Sequence, residues 1–484
     1  MQSLQYALSE TAFIESIDGL ARWRDGDFKC DQRPKTGHIG RHGEEVTHGM
    51  SEKGSDGMSL EELLGRRVDR RTVLRGAALA SLSAPALALW LEACQSQSST
   101  PGNTQLTWAV PAVAKEIRQK TADLWNAQHS DSPVRLSVLP EQADQQRQQI
   151  ALELNAKSST FDVIAIDVIW TGEFAKNGWL ENLDDVRSKL DGVSLPGALE
   201  SAQWKGHLWA IPYVTNAGFL YYRKDLVASP PKSWDELMSV GLQAAKGQGI
   251  APFVGQGAKY EGFVVNYLEY MWAAGGNLFN KDTSKVLFNA NGEALKATQF
   301  MRQSLTARFY AAGFNTMHEE EARITFQSGK AVFMRNWPYA VSLMNKTGDS
   351  KVVGKFDIAP LPTFSGQGSV SALGGLNNSI SAYSKNKAKA KAFATFAATD
   401  PAAQRAIGEA SEPPTLASVY KDLAADPVFK VLGQVLPDAR PRPPVPKWND
   451  ISAAIQDQIF PAYNGEKDPA AAVEAVRKFL ESTL

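Results

Sequence analysis

Two carboxylates, a set of aromatic rings and one arginine carry the chemistry available to this sequence. Asp167 stands just past the apolar run Phe161-Asp162-Val163-Ile164-Ala165-Ile166, at the carboxyl end of an expected strand. Glu261 lies in Lys259-Tyr260-Glu261-Gly262-Phe263, at the start of an expected helix. Trp337 sits in Arg335-Asn336-Trp337-Pro338, where the proline ends the preceding strand and leaves the indole at a loop tip. Trp170, Tyr213, Tyr260 and Trp448 are further rings in or beside loops. In Arg440-Pro441-Arg442-Pro443-Pro444-Val445-Pro446-Lys447-Trp448, prolines fix an extended path and lower the entropy cost of presenting a side chain. Aromatic faces suit the apolar C–H faces of a sugar ring. Carboxylates, amides and guanidinium groups suit its rim of hydroxyls.

Asp167 and Glu261 converging across a cleft would also fit a glycoside hydrolase, which needs two carboxylates about 5–10 Å apart. The sequence has no Gly-x-Ser-x-Gly elbow, no His-Glu-x-x-His and no glycine-rich phosphate loop. His129, His207 and His318 fall in unrelated segments. The reading is therefore a binding protein, with a secreted hydrolase as the competing class. A receptor presenting its ligand to a membrane sensor is a third, since it would use the same residues.

The elements that must position these groups follow from periodicity. Leu106 to Val110, Val134 to Leu139 and Phe161 to Ile166 read as strands. Ala114 to Gln128 and Asp144 to Ala156 between them read as helices. Strand, helix, strand, helix, strand predicts a parallel sheet with helices on both faces, and such sheets bind ligands beyond the carboxyl ends of their strands. Further on, Ser233 suits the N-cap of a helix opening at Trp234, and Tyr260 to Ala274 predicts another helix. Ala331 to Met334 and Asn378 to Ser381 are strand-like, with alanine-rich helices near 386–399 and 469–482.

Formal net charge is −1, so the chain carries no electrostatic footprint for nucleic acid or an anionic membrane. Its length suits more than one core. The two cysteines, Cys30 and Cys94, fit no folded disulfide framework. Residues 1–57 lack apolar periodicity and read as disorder or as a mis-assigned start, with translation expected from Met58 or Met50. Residues 58–94 read as a lipoprotein export signal. Arg70-Arg71-Thr72-Val73-Leu74-Arg75 resembles the twin-arginine signal, an apolar stretch from Gly76 to Leu91 follows, and Leu91-Glu92-Ala93-Cys94 resembles the bacterial lipobox. Glu92 departs from the usual lipobox pattern. Residues 95–103 form a polar tether.

Several stretches across residues 104–484, in order, resemble the extracellular solute-binding proteins of bacterial sugar importers, the maltose- and trehalose-binding group. They are Phe161-Asp162-Val163 with Gly178-Trp179-Leu180, and Ala210-Ile211-Pro212-Tyr213 with Tyr221-Tyr222-Arg223-Lys224-Asp225-Leu226. Next come Pro231-Lys232-Ser233-Trp234-Asp235-Glu236-Leu237, Met334-Arg335-Asn336-Trp337-Pro338, and Pro360-Leu361-Pro362 with Gly374-Gly375. The resemblance implies a periplasmic-binding-protein-like α/β fold. Two α/β lobes are joined by a three-segment hinge, with a ligand cleft that closes between them. It implies a first lobe of 104–211 with 372–422, and a second of 212–371 with 423–484.

The resemblance also implies ligand contacts. Asp167, Trp337 and Glu261 would meet sugar hydroxyls and a sugar ring. Arg442 matches the arginine of the trehalose branch's Arg-Pro-x-x-Pro element, and Trp448 stands where a tyrosine is commoner. Asn216, Tyr260, Gly375, Glu116 and Arg147 occupy the remaining contact positions. No catalysis, cofactor or metal is implied. The expected partners are a small sugar, a trehalose- or maltose-like disaccharide, together with an ABC permease and its ATPase. Nucleic acid is not a partner. The protein is expected to be an exported monomer, periplasmic or held on the outer face of the cytoplasmic membrane by lipid on Cys94.

Overall fold

The computed structural model describes residues 104–443 and 445–484. The segments carrying Arg70, Arg71 and Cys94 lie outside the described residues. The alternating pattern builds β1 (Leu106–Pro111), α1 (Lys115–Asn126), β2 (Val134–Leu139), α2 (Ala143–Asn155) and β3 (Val163–Asp167). β1 lies between β2 and β3, parallel to both, as the element order requires. All six residues of β1 are buried, which suits a strand covered on both faces.

β4 (Ile211–Ala217) and β5 (Phe219–Arg223) follow, with Gly218 between them. Then come α3 (Trp234–Ala245), β6 (Ala251–Val254), α4 (Glu261–Ala273), α5 (Glu293–Thr306), α6 (Glu319–Gln327), β7 (Ala331–Asn336) and β8 (Phe356–Ala359). Ser233 caps α3 as its residue type predicts, its Oγ accepting from the Glu236 amide at 3.1 Å. The chain finishes with β9 (Ala372–Ile380), α7 (Lys387–Thr399), α8 (Pro401–Glu409), β10 (Arg440–Pro441), α9 (Trp448–Asn464) and α10 (Pro469–Thr483).

Two main sheets result. The first has the order β10-β9-β3-β1-β2, with β4 also paired to β9. The second has the order β8-β5-β7-β6. β9 runs antiparallel to both β3 and β4, a reversal that the strand–helix repeat does not announce. This is the two-lobed α/β architecture expected from the resemblance. Pairing of β4 with β9 continues to Ala217 opposite Leu373. The chain therefore leaves the first sheet at Gly218, beyond the boundary expected between residues 211 and 212.

That crossing depends on a glycine. A Cβ at Gly218 would collide with the Arg335 guanidinium packed against it. Arg335 is buried and pairs with buried Glu269 of α4, Nε to Oε2 at 2.9 Å. The other carboxylate oxygen of Glu269 accepts from the Ala372 amide at 3.0 Å. Ser371 Oγ lies 3.1 Å from the Gly218 carbonyl, and the Ser371 carbonyl accepts from the Arg440 amide at 2.9 Å. One ion pair and one serine thus tie together all three places where the chain passes between the sheets.

Candidate functional site

Four of the polar groups singled out in the sequence, Asp167, Asn216, Glu261 and Arg442, converge on a cavity of about 150 Å³ between the sheets. Asp167 enters it from the end of β3, where the switch-point rule places ligand contacts. One of its oxygens accepts from the Ile169 amide at 3.1 Å, capping the short helical turn over Val168–Trp170. The same oxygen accepts from Arg442 Nη2 at 3.0 Å. Arg442 donates its other terminal nitrogen to Glu261 at 2.8 Å. The buried guanidinium therefore bridges β3 and the first residue of α4.

Glu261 is held on every side. It accepts from Trp448 Nε1 at 3.0 Å and from Ser452 Oγ, and its own amide donates to Asp144 of α2 at 3.2 Å. Burial pushes its carboxyl above the usual range, against the opposing pull of Arg442. Both oxygens have protein partners, so Glu261 orients Arg442 while lining the cavity. Trp448 is likewise buried as the first residue of α9, with its indole N–H spent on Glu261.

Trp337 follows β7 and lines the cavity half-buried. Its amide donates to Asn336 Oδ1 at 2.8 Å, and its carbonyl accepts from Tyr221 Oη at 2.7 Å. One ring face covers the Arg335 guanidinium, 4.0 Å from the ring centroid. Gly374 makes room for it: a Cβ there would lie 3.1 Å from the indole and would collide with Asn216 Oδ1. Gly375 sits at φ +142° with the Val214 carbonyl packed against it, a conformation that excludes other residues. Asn216 reaches the cavity from β4, and its Oδ1 has no hydrogen-bond partner among the described residues. Arg442 Nε is likewise unpartnered.

Other expected contacts are placed elsewhere. Tyr260 is buried with its hydroxyl donating to Glu319 at 2.7 Å. Tyr213 and Trp170 are core residues, the first packed edge-on to Trp108 and the second stacked on Phe174. Arg147 pairs with Glu173, Nε to Oε2 at 3.0 Å, and Glu116 is exposed on α1, neither lining the cavity. Of the five rings expected near a ligand, Trp337 alone is in the wall.

The cavity also holds Arg118, Glu141, Glu319 and Glu412, which sequence reasoning missed. Arg118 did leave a signal. It falls on the buried stripe Ile117, Arg118, Thr121, Ala122 and Trp125 of α1, where a charge demands a partner. Partial burial, and then the acidic residues at 319–321 facing it, raise the Glu141 carboxyl above its ordinary range.

A second cavity, about 570 Å³, is lined by Thr215 and Leu373. Thr215 falls between Val214 and Asn216, so strand alternation puts it on the opposite face of β4. Its walls are mostly apolar, and apart from Arg442 the converging charges belong to the smaller cavity. Among the described residues no group of three or more histidine, cysteine or acidic side chains is arranged to hold a metal ion.

Residues 104–404 match the model of the bacterial extracellular solute-binding protein family. The chain belongs to that family. This solute-binding protein is 33% identical to a probable ABC transporter-binding protein of Deinococcus radiodurans over 393 residues, 77% of this chain and 91% of the relative. It is 26% identical to the maltotriose-binding protein of Pyrococcus abyssi over 335 residues, 65% of this chain and 68% of the other. In structure it is similar to maltose-bound MalE3 of T. maritima, with a TM-score of 0.74 and 34% identity. The match covers 79% of this chain and all of that one.

Proposed function

We propose that this solute-binding protein captures a sugar in the cleft lined by Trp337, Asp167, Arg442 and Asn216, and delivers it to an ABC permease and its ATPase. The observation that carries this reading is the convergence, in one cavity, of an aromatic face with polar and charged donors and acceptors, four of which, Arg118, Asn216, Glu412 and Arg442, keep an unpartnered atom. A ring with an apolar face and a hydroxyl rim matches that set. The maltose and maltotriose named for a structural neighbour and a relative support the same class of ligand.

The competing hydrolase reading loses support from Arg442. Its guanidinium lies between the Asp167 and Glu261 carboxylates, where a scissile bond would have to sit. The lobes are proposed to divide at Gly218, with β9 returning the chain to the first lobe and α9 and α10 packing on the second.

A thermal-shift screen over trehalose, maltose, sucrose and related glycosides tests the reading, since a ligand at 100 times its Kd stabilises by about 2.7 kcal/mol. Trp337→Ala should weaken binding of the best hit by about 2–4 kcal/mol. Its melting temperature without ligand should fall modestly, because the indole is only partly buried in the cavity wall. Calorimetric titration and melts on the same samples check both. Unchanged affinity with a lowered melting temperature would make Trp337 a packing residue.

Export is proposed to run through the Arg70-Arg71 signal, with lipid attached to Cys94 as the membrane anchor. Arg70→Lys with Arg71→Lys should leave precursor in the cytoplasm, because the ammonium lacks the planar guanidinium. Cys94→Ala should release the protein from the membrane fraction. Fractionation with immunoblotting reads both outcomes.

A further inference from the structure

We infer that Asp144 is the latch that holds the cleft shut: its carboxylate, carried by the first lobe, caps α4 of the second and slows solute release without touching the solute. The inference rests on the capture reading and the lobe division proposed above. Asp144 is the second residue of α2, and it accepts at both oxygens. Oδ1 takes the Glu261 amide at 3.2 Å, and Oδ2 takes Nε2 of Gln456 on α9 more loosely, at 3.4 Å. Away from the three crossings and from Arg442, these are the hydrogen bonds that join the proposed lobes among the described residues.

The cap answers a need of α4. A helix leaves its first four amides without partners inside the helix. Serine, threonine, aspartate or asparagine usually precedes it and supplies an acceptor. Tyr260 holds that place in α4 and makes no side-chain cap, its hydroxyl being spent on Glu319. An aspartate from a different helix therefore supplies the missing acceptor, and its negative charge suits the positive end of the α4 dipole.

The position of Asp144 separates a latch from a ligand contact. Ala143 and Gln146 on either side of it line the cavity, and Asp144 does not. Asp144 is exposed, so water can replace the α4 amide when the lobes part. Gln456 also donates to Ser452 Oγ at 3.1 Å, and Ser452 bonds to the Glu261 carboxylate, which orients Arg442. Glu261 thus meets the latch with its amide and the cavity wall with its side chain. A seated solute and a closed latch favour the same placement of the first turn of α4. Because the cap forms only when the lobes are shut, its loss changes how long a solute stays rather than how fast it arrives.

Stopped-flow mixing with maltose reads the latch. Asp144→Ala should release maltose about 2- to 30-fold faster, the range that loss of an N-cap spans, with the association rate constant of the unaltered protein. Asp144→Asn keeps an acceptor that caps as well as aspartate does, and should release maltose at the unaltered rate. Spin labels at residue 148 of α2 and residue 453 of α9 should move closer when maltose is added. Unaltered release from Asp144→Ala overturns the latch, and so does a loss confined to association. Equal acceleration in the Asn and Ala variants overturns capping as its basis. Labels that keep their distance when maltose binds show that the two helices do not part, which overturns the latch as well. If no sugar of the panel binds, the sugar reading fails by itself. The latch is then read from the labels without solute: Asp144→Ala should lose part of the short-distance population, and an unchanged distribution overturns it.

Discussion

Arg442→Met is expected to lose about 3–5 kcal/mol of stability together with most of the affinity for solute. The guanidinium neutralises Asp167 and Glu261, and Glu261 is almost fully buried. Without it, the Glu261 carboxylate keeps only Trp448 and Ser452 as partners. Burial alone already raises its carboxyl above the usual range, so the variant should take up a proton there at higher pH than the unaltered protein does. A raised carboxyl contributes stability below its unfolded-state pKa and loses it as pH rises through the folded value. The defect of Arg442→Met should accordingly shrink on acidification. Adding Glu261→Gln and Asp167→Asn should restore stability without restoring binding. Denaturant melts across pH with calorimetric titration measure both parts. Recovery of binding in the triple variant would show that Arg442 only props up the fold.

Glu269→Leu is the second change with a large expected effect. It strands the Arg335 guanidinium in a site that is 1% exposed, and it removes the acceptor for the Ala372 amide. The expected cost is again about 3–5 kcal/mol. Because Arg335 lies beneath the Trp337 ring, solute affinity should fall as well, although residue 269 does not line the cavity. Glu269→Gln keeps an acceptor oxygen and should cost less on both counts. A variant that melts early but titrates normally would separate the ion pair from the binding platform.

The parts of the fold legible in the sequence are those set by local periodicity. β1 through β3 with their two helices follow from alternating and helical apolar spacing, and the start of α3 follows from Ser233. Local pattern picked out only Asn378 to Ser381 at the end of β9; it could not supply the pairing, in which Asn378 meets Ala165 from the far end of the chain and reverses the strand direction. The site divides in the same way. Asp167 and Trp337 were readable because a strand end and a proline-terminated strand are local signals. Trp448 was placed against the ligand, whereas its indole N–H is spent on Glu261, which itself holds Arg442 at the cavity wall. That arrangement exists only once α4 and α9 pack together. Arg118 was passed over for Glu116 because the outward side of α1 and its buried stripe are two residues apart, and nothing in the neighbouring sequence tells which side meets the cleft.

The three crossings tied to Glu269, Ser371 and Arg335 have a kinematic consequence. A joint whose strands are all bonded to one another at a single node can rotate but cannot slide. Displacement during lobe movement then grows with distance from the node. Trp337, stacked directly on Arg335, sits almost on the axis and travels least. Glu141 and the acidic start of α6, close to one another beside the cavity and proposed to belong to different lobes, would travel further. Indole fluorescence from Trp337 would therefore sense occupancy of the cleft while remaining nearly blind to its opening, and a distance probe between residues 141 and 320 would do the reverse.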